Sequence, residues 1–399
     1  MLRCYDKEQF SYRPFSSTVC ALVTIQDSVV RLLDDCNVAG VHVITLDMSR
    51  AFDSVPHDLI LSFLRNLDLP DCELFVNWIN SYLNNRKQRV RLFNTYSSVS
   101  NVLSGVPQGS VLGPYLFALF MSTYHSLFDD TCLIKYADDV TLIVPVYKHD
   151  LNSPHATLEV HHFQNWCNVN GMSINVSKSK CMSVFFGLNV LPTVSDLQSV
   201  TALKILGVIF NHKLTWSDHF AYVCQKVSRR LYVLRVLKSI FSHDQLVTVF
   251  QAIIRSLFDY ACPVFLNPGS ILNDKFVSLC KRAFRIIHGS DCVHCDQCDL
   301  MNVQARRERL SLRLFTEALE DRRHSLHQLL PHRSQRSGSR LLLPHVRCTR
   351  RVKAFIFSCA LMCRPITRND FNLFLPSYSA CVSLCSLPRL IWEVSLSLA

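Results

Sequence analysis

The sequence predicts an α+β fold, with helices packed on one face of a small antiparallel sheet. Three observations carry that expectation. Short β-prone runs occur at Val43-Ile44-Thr45-Leu46, Thr131-Cys132-Leu133-Ile134 and Val140-Thr141-Leu142-Ile143-Val144. Stretches with helical apolar spacing lie between them. Beyond Trp216 the strand-like runs stop and long amphipathic periodicities take over.

Taken in order, residues 18–33 read as a helix that leads into the first strand, which ends at Leu46. Helical patterns follow at 57–67 and 71–84. Residues 88–93 alternate polar and apolar as a strand should. Proline and glycine then punctuate a turn at 104–109, and residues 111–128 read as a largely apolar helix. The two runs around Tyr136-Ala137-Asp138-Asp139 form a hairpin. An amphipathic helix at 158–167 and a strand at 181–186 complete this half. Helices are expected at about 218–239, 244–258 and 272–288, and residues 291–399 read as a partly ordered basic tail.

Composition narrows the class. The chain has 399 residues, 49% of them hydrophobic, enough for two or three domains and a sizeable core rather than a disordered tail. Its net charge of +11 is uneven: residues 211–399 hold 27 Lys and Arg against 13 Asp and Glu, whereas residues 1–210 hold 15 against 18. An acidic half suits cation binding, and a basic half suits a polyanion. No apolar run reaches membrane-spanning length, and the N-terminus lacks a signal-peptide pattern. The eighteen cysteines are scattered, so reduced thiols in an intracellular protein are expected. One cluster, His288, Cys292, His294, Cys295 and Cys298, has soft ligands at C-x₂-C-x₂-C spacing; a structural zinc site and ordinary free cysteines are both open readings.

The chemistry concentrates on three carboxylates. Asp138 and Asp139 stand together at the tip of an apolar hairpin, and burying such a pair costs several kcal/mol unless a cation accompanies it. An Asp-Asp pair alone is more often a solvated turn. Asp47, however, ends a strand that would face this hairpin. Mg²⁺ takes one or two carboxylates together with phosphate oxygens and water, and two such ions stabilise the attacking and leaving oxygens of an in-line phosphoryl transfer. Between the carboxylates lies Ser104-Gly105-Val106-Pro107-Gln108-Gly109-Ser110, where glycine admits close backbone approach and Gln108 offers uncharged donors and an acceptor. By itself it reads as an ordinary turn before a core helix.

LDMSRAFDSVPH (47 being its Asp), SGVPQGSVLGP from 104 and YADD from 136 resemble, in this order, motifs A, B and C of reverse transcriptases. The wording is similar to that of non-LTR, LINE-type retrotransposons of the jockey-like branch. QFSYRPFSST at 9–18 resembles a fingers segment, and WINSYLNNRKQRV at 78–90 the block before motif B. NGMSINVSKSK at 170–180 resembles motif D, and LKILGVIF at 203–210 motif E, so the resemblance covers roughly residues 9–290. It implies a right-hand polymerase: partial fingers and an antiparallel-sheet palm over 1–210, a helical thumb over 211–290, and a basic extension of unassigned function over 291–399.

It also implies RNA-directed DNA polymerisation with two Mg²⁺ ions (or Mn²⁺), an RNA template, a DNA primer and dNTPs, in the nucleus or cytoplasm and away from membranes. Asp47, Asp138 and Asp139 would hold metal, with the carbonyl of Met48. Phe52 would be the steric gate beneath the sugar; core packing is its plain alternative. Gln108 and Gly109 would line the nascent base pair. Lys178 would protonate the pyrophosphate leaving group, with Lys180 competing for that role and a surface lysine the ordinary reading of either. Arg13 would contact phosphate or template, or form a structural ion pair. Arg229, Arg230, Arg235 and Lys238 would grip nucleic acid from the thumb, unless these helices are a plain bundle. Nothing in the chain resembles the endonuclease that precedes the polymerase in a full element, and the earliest fingers motifs are missing. A fragment is therefore expected, and a catalytically inactive remnant that only binds nucleic acid is the alternative.

Overall fold

The computed structural model describes residues 6–67, 71–185, 191–289, 302–331, 351 and 354–362. Its centre is a five-stranded sheet in the order β6-β7-β1-β8-β9: β1 is Val38–Leu46, β6 Cys132–Tyr136, β7 Asp139–Tyr147, β8 Lys180–Phe185 and β9 Gln198–Ser199. All neighbours are antiparallel except β8 and β9, so the sheet is mixed. A second hairpin joins β10 (Ala202–Ile205) to β11 (Val208–Asn211). Four two-residue strands, β2 (Lys87–Gln88), β3 (Arg91–Leu92), β4 (Thr95–Tyr96) and β5 (Ser100–Asn101), build a separate ribbon.

The expectation of helices on one face is corrected: both faces of the sheet are covered. Val41, Val43, Ile143, Met182 and Val184 pack with Leu22 and Ile25 of α1 (Thr18–Asp34). Ile44, Leu46, Val140 and Leu142 pack on the other side. After the short α2 (Ala51–Ser54), they meet Ile60 of α3 (His57–Arg65), Ile79 of α4 (Cys72–Leu83), Phe117 of α5 (Leu112–Met121) and Phe163 of α6 (His155–Val169). The strands are apolar at successive positions rather than alternate ones, which is the signature of a sheet buried twice. His42 lies within it, 1% exposed, with Nδ1 2.9 Å from the Ser183 hydroxyl, and burial pulls its pKa down to about 4. Burial likewise pushes the Cys167 and Cys181 thiols up to about 12, leaving them inert packing groups.

The helix expected over 111–128 stops at Met121. Two distant charges end it: the buried Lys135 ammonium donates to the carbonyls of Met121 and Tyr124, and buried Glu159 accepts from the amides of Leu127 and Phe128. Lys135 is held in turn by Asp6, 2.5 Å away, and Glu8 at 3.4 Å.

Beyond the sheet come α7 (Ser217–Leu237), α8 (His243–Phe250), α9 (Ser256–Asp259), α10 (Ser270–His288), α11 (Val303–Glu320) and α12 (Phe355–Met362). The single helix expected over 244–258 is broken by a π-helical turn at Gln251–Arg255, where the Arg230 guanidinium takes the Ile253 carbonyl. Phe220, Phe265, Phe276 and Phe315 continue the core begun by α1, around a buried Arg307 stacked near three of those rings. The chain then returns to its own start: the Ser325 amide donates to the Phe15 carbonyl at 3.1 Å, Arg323 lies 4.4 Å over the Phe15 ring, and Arg351 pairs with Asp34. Among the described residues no helix is long and apolar enough to cross a membrane. Cys292, His294, Cys295 and Cys298 lie outside the described residues; His288 ends α10 with Nδ1 2.8 Å from His243 Nε2.

Candidate active site

Register decides what the three carboxylates can do. Leu46 pairs with Val140, so Asp47, one residue on, lies level with Asp139 at the end of the neighbouring strand. Tyr136 pairs with Asp139, leaving Ala137 and Asp138 as a two-residue turn. Ala137 has φ +54°, the left-handed region that costs a residue with a Cβ about 1 kcal/mol or more. Its amide explains why the turn holds: it donates to Gln9 Oε1 at 3.0 Å and Ser11 Oγ at 2.8 Å. The segment carrying Gln9 runs along β6, with bonds from Lys135 N to Glu8 O and from Phe10 N to Lys135 O, both 2.8 Å.

The backbone of Asp47 is fixed from the other side. Its amide donates to Ser179 Oγ at 3.1 Å, and its carbonyl accepts from Asn175 N at 2.8 Å. Met48 pairs with Ile174, but the bridging bonds use Asp47 O and Ser49 N, so the Met48 carbonyl stands outside that ladder. Asp47 Oδ2 is buried and makes no hydrogen bond; Lys178 Nζ lies 3.5 Å from it.

Electrostatics report the crowding. Burial raises the Asp139 pKa to about 6, with Asp138 and Asp47 adding to the rise and Lys178 opposing it. Asp138 is also raised, chiefly by burial and further by Asp47. Carboxylates that resist ionising, and a buried oxygen met only by the Lys178 ammonium at 3.5 Å, fit a hard divalent cation. Among the described residues no three His, Cys, Asp or Glu side chains form a ready cage for a metal ion.

The Gly105–Gly109 loop is fastened beside these groups. Gly105, at φ +86°, bonds through its amide to Val55 O, and a Cβ there would meet the Asp53 Cα at 2.6 Å. Ser104 Oγ donates to Asp53 O at 3.0 Å, and Gln108 Nε2 donates to Asp53 Oδ1 at 2.8 Å. Phe52, half-buried, stacks on Phe117 at 4.1 Å with an interplanar angle of 17°, and its carbonyl accepts from Val106 N. Gly109, at φ +77°, has open space where a Cβ would be.

Residues 3–210 match the family model described as reverse transcriptase (RNA-dependent DNA polymerase). The chain belongs to the reverse transcriptase family. It is 28% identical over 275 residues to a probable RNA-directed DNA polymerase from transposon X-element of Drosophila melanogaster, covering 65% of this chain and 29% of that protein. It is 28% identical over 376 residues to the RNA-directed DNA polymerase from mobile element jockey of Drosophila funebris, covering 88% of this chain and 39% of the relative. The jockey-like resemblance thus holds, and the chain spans well under half the length of these relatives. A telomerase structure from Candida tropicalis aligns over 77% of this chain and 51% of its own at 10% identity, with a TM-score of 0.42.

Within this reverse transcriptase the other expected residues fall into two sets. Lys178 joins the carboxylates; Lys180 is in β8, opposite Thr45. Arg13 instead folds back, Nη1 donating to the carbonyls of Asp6 and Lys7 at 3.4 Å each. Arg229, Arg235 and Lys238 are exposed on and just after α7, whereas Arg230 is engaged with Ile253 as above. Sequence reasoning missed Ser179 and the specific bond from Gln108 to Asp53. The Asp53 signal was present in the Ala51-Phe52-Asp53 triplet, but its partner lies 55 residues away.

Proposed function

We propose that this chain carries out RNA-directed DNA synthesis, transferring a nucleotidyl group from a dNTP to a primer 3′-hydroxyl on an RNA template. The observation that carries the reading is the register bringing Asp47 level with Asp139 and the turn that holds Asp138, with a buried Asp47 oxygen 3.5 Å from the Lys178 ammonium. The three carboxylates and the Met48 carbonyl would hold two Mg²⁺ or Mn²⁺ ions. Those ions, when bound, neutralise charge on the attacking and leaving oxygens.

The chain's own residues do the rest. Lys178, on an exposed stem, reaches the carboxylates and can deliver a proton to departing pyrophosphate. Phe52, fixed by Phe117 and by the Val106 bond, presents a ring where a 2′-hydroxyl would clash. Gln108 enters the site already oriented by Asp53, and Gly109 leaves room for a base pair. Arg13 meets phosphate only after releasing two carbonyls. The assignment of residues 1–210 to fingers and palm and 211–290 to thumb belongs to this reading, as does a site of action in nucleus or cytoplasm. In the thumb, Arg229, Arg235 and Lys238 track phosphates while Arg230 is structural.

The experiment is primer extension on poly(rA)/oligo(dT) with and without Mg²⁺. Metal-dependent extension abolished by Asp138→Asn is expected. Binding of the hybrid without any extension would establish the inactive, nucleic-acid-binding remnant instead. Phe52→Val should raise ribonucleotide incorporation relative to deoxynucleotide; unchanged discrimination would return Phe52 to core packing.

A further inference from the structure

Residues 86–102 fold into one hairpin that stands away from the body. The Val102 amide bonds to Arg86 O, β2 pairs with β5 and β3 with β4, and Val90 and Ser97 bond twice between them. Phe93 and Asn94 make its turn, with Phe93 at φ +51°. Every residue from 84 to 101 is exposed. An isolated two-stranded hairpin in water is marginal at best, and this one also exposes Phe93 at 88% and Leu92 at 67%. Such a ribbon is built to be covered.

Its chemistry selects the cover. Arg86, Lys87, Arg89 and Arg91 lie along it, and no acidic residue occurs between Glu73 and Asp129. Arg89 lies 4.1 Å over the Tyr96 ring and Arg91 5.6 Å from it, so planar cations and rings already share one surface. Rings that stack bases, interleaved with guanidinium groups that meet phosphates, are the elements of a single-strand platform. The location is specific as well: β5 runs directly into the Ser104–Gln108 loop that is bonded to Asp53 beside Phe52.

We propose that this arm holds the single-stranded RNA template next to the active site. The inference rests on the polymerase reading for its choice of RNA, and its test separates the two. Fluorescence anisotropy with a 20-nucleotide oligo(rU), at two salt concentrations, would compare the wild-type chain with R86A/R89A/R91A and with F93A/Y96A. The triple variant should bind about tenfold more weakly and show a shallower salt dependence, by roughly 0.7 per lost phosphate contact. Removing the two rings should cost about tenfold with the salt slope unchanged. Both variants should melt like the wild type, since the substituted positions are all exposed. In primer extension, KM should rise about tenfold on a template with a long single-stranded 5′ overhang and change less on one with a single unpaired nucleotide. Variants that bind oligo(rU) and use overhanging template like the wild type would overturn the arm's role. So would variants whose one defect is lost self-association in sedimentation, which would make the arm a protein contact. A wild-type chain that binds oligo(rU) through the arm yet extends no primer would sustain the arm and overturn the polymerase reading.

Discussion

Two hairpins in this chain share a local design and differ in everything around it. Both close with a two-residue turn whose first residue, Ala137 in one and Phe93 in the other, takes a positive φ. At Ala137 the strained backbone is held from outside, by Gln9 and Ser11 on the amide and by strands buried on both faces. At Phe93, among the described residues, only the ribbon's own bonds and the stacking of Arg89 on Tyr96 sustain the turn. The lesson is that surroundings, not turn type, set the mechanical character. The first hairpin fixes two carboxylates in place; the second has no such braces, which suits the proposed role of meeting a strand whose bases vary.

The sharpest way to break the comparison is at the rigid tip. Asp139→Asn should reduce primer extension a thousandfold or more, because metal-assisted charge stabilisation is worth several kcal/mol. It should not lower the melting temperature, since it removes a carboxyl that burial and its neighbours already disfavour as an anion. An active variant would detach the hairpin from catalysis.

Where the exposed arm rejoins the body, tight packing should reappear. Gly105→Ala places a Cβ 2.6 Å from the Asp53 Cα at φ +86°, and about 2–4 kcal/mol of stability should be lost in denaturant titration. A loss below 1 kcal/mol would mean the loop is as loose as the ribbon leading into it.

Acid should divide the two regions next. His42 is buried beside the strands of the rigid half, and its folded-state pKa is depressed from 6.5 to about 4. Its contribution to stability is therefore complete above about pH 6.5 and lost as the pH falls towards 4. Between pH 7 and pH 5 the protein should lose about 2 kcal/mol that a His42→Gln variant does not lose. The arm holds no His, Asp or Glu, so its RNA affinity should stay flat over that range wherever the chain remains folded.

How much of this was legible in the sequence depended on reach. The carboxylates were readable because each sits in a short contiguous motif at the end of a strand, where the register follows from the pattern. The braces were not. Gln9 lies 128 residues from Ala137, and nothing local to either announces the bond. The helix after Gly109 ends seven residues before its apolar pattern does, because its end is set by Lys135 and Glu159, whose burial no window around residue 121 contains. The alternation at 88–93 predicts one strand, whereas the chain forms two short ones, Lys87–Gln88 and Arg91–Leu92, with Phe93 in the turn; alternation cannot say that neither face will be buried.

Smaller effects refine the contrast. Gln9→Ala should cost about 1 kcal/mol, with Ser11 still holding the Ala137 amide, and should lower kcat more than it raises KM because the carboxylate turn loosens. Phe93→Ser should change stability by less than about 0.5 kcal/mol, as an exposed position does. A large loss at Phe93 would show that the ribbon is packed after all.

The bond from the Ser325 amide to the Phe15 carbonyl joins positions 310 residues apart. Closing so large a loop is slow, and it must wait until nearly all the described chain has left the ribosome. The sheet and its acidic turn, whose contacts span far shorter separations, can assemble well before that. Synthesis therefore builds the reactive part first and latches it last, and a ribosome-bound chain stopped near residue 290 should already protect the Ala137 amide from hydrogen exchange while Phe15 remains open to protease.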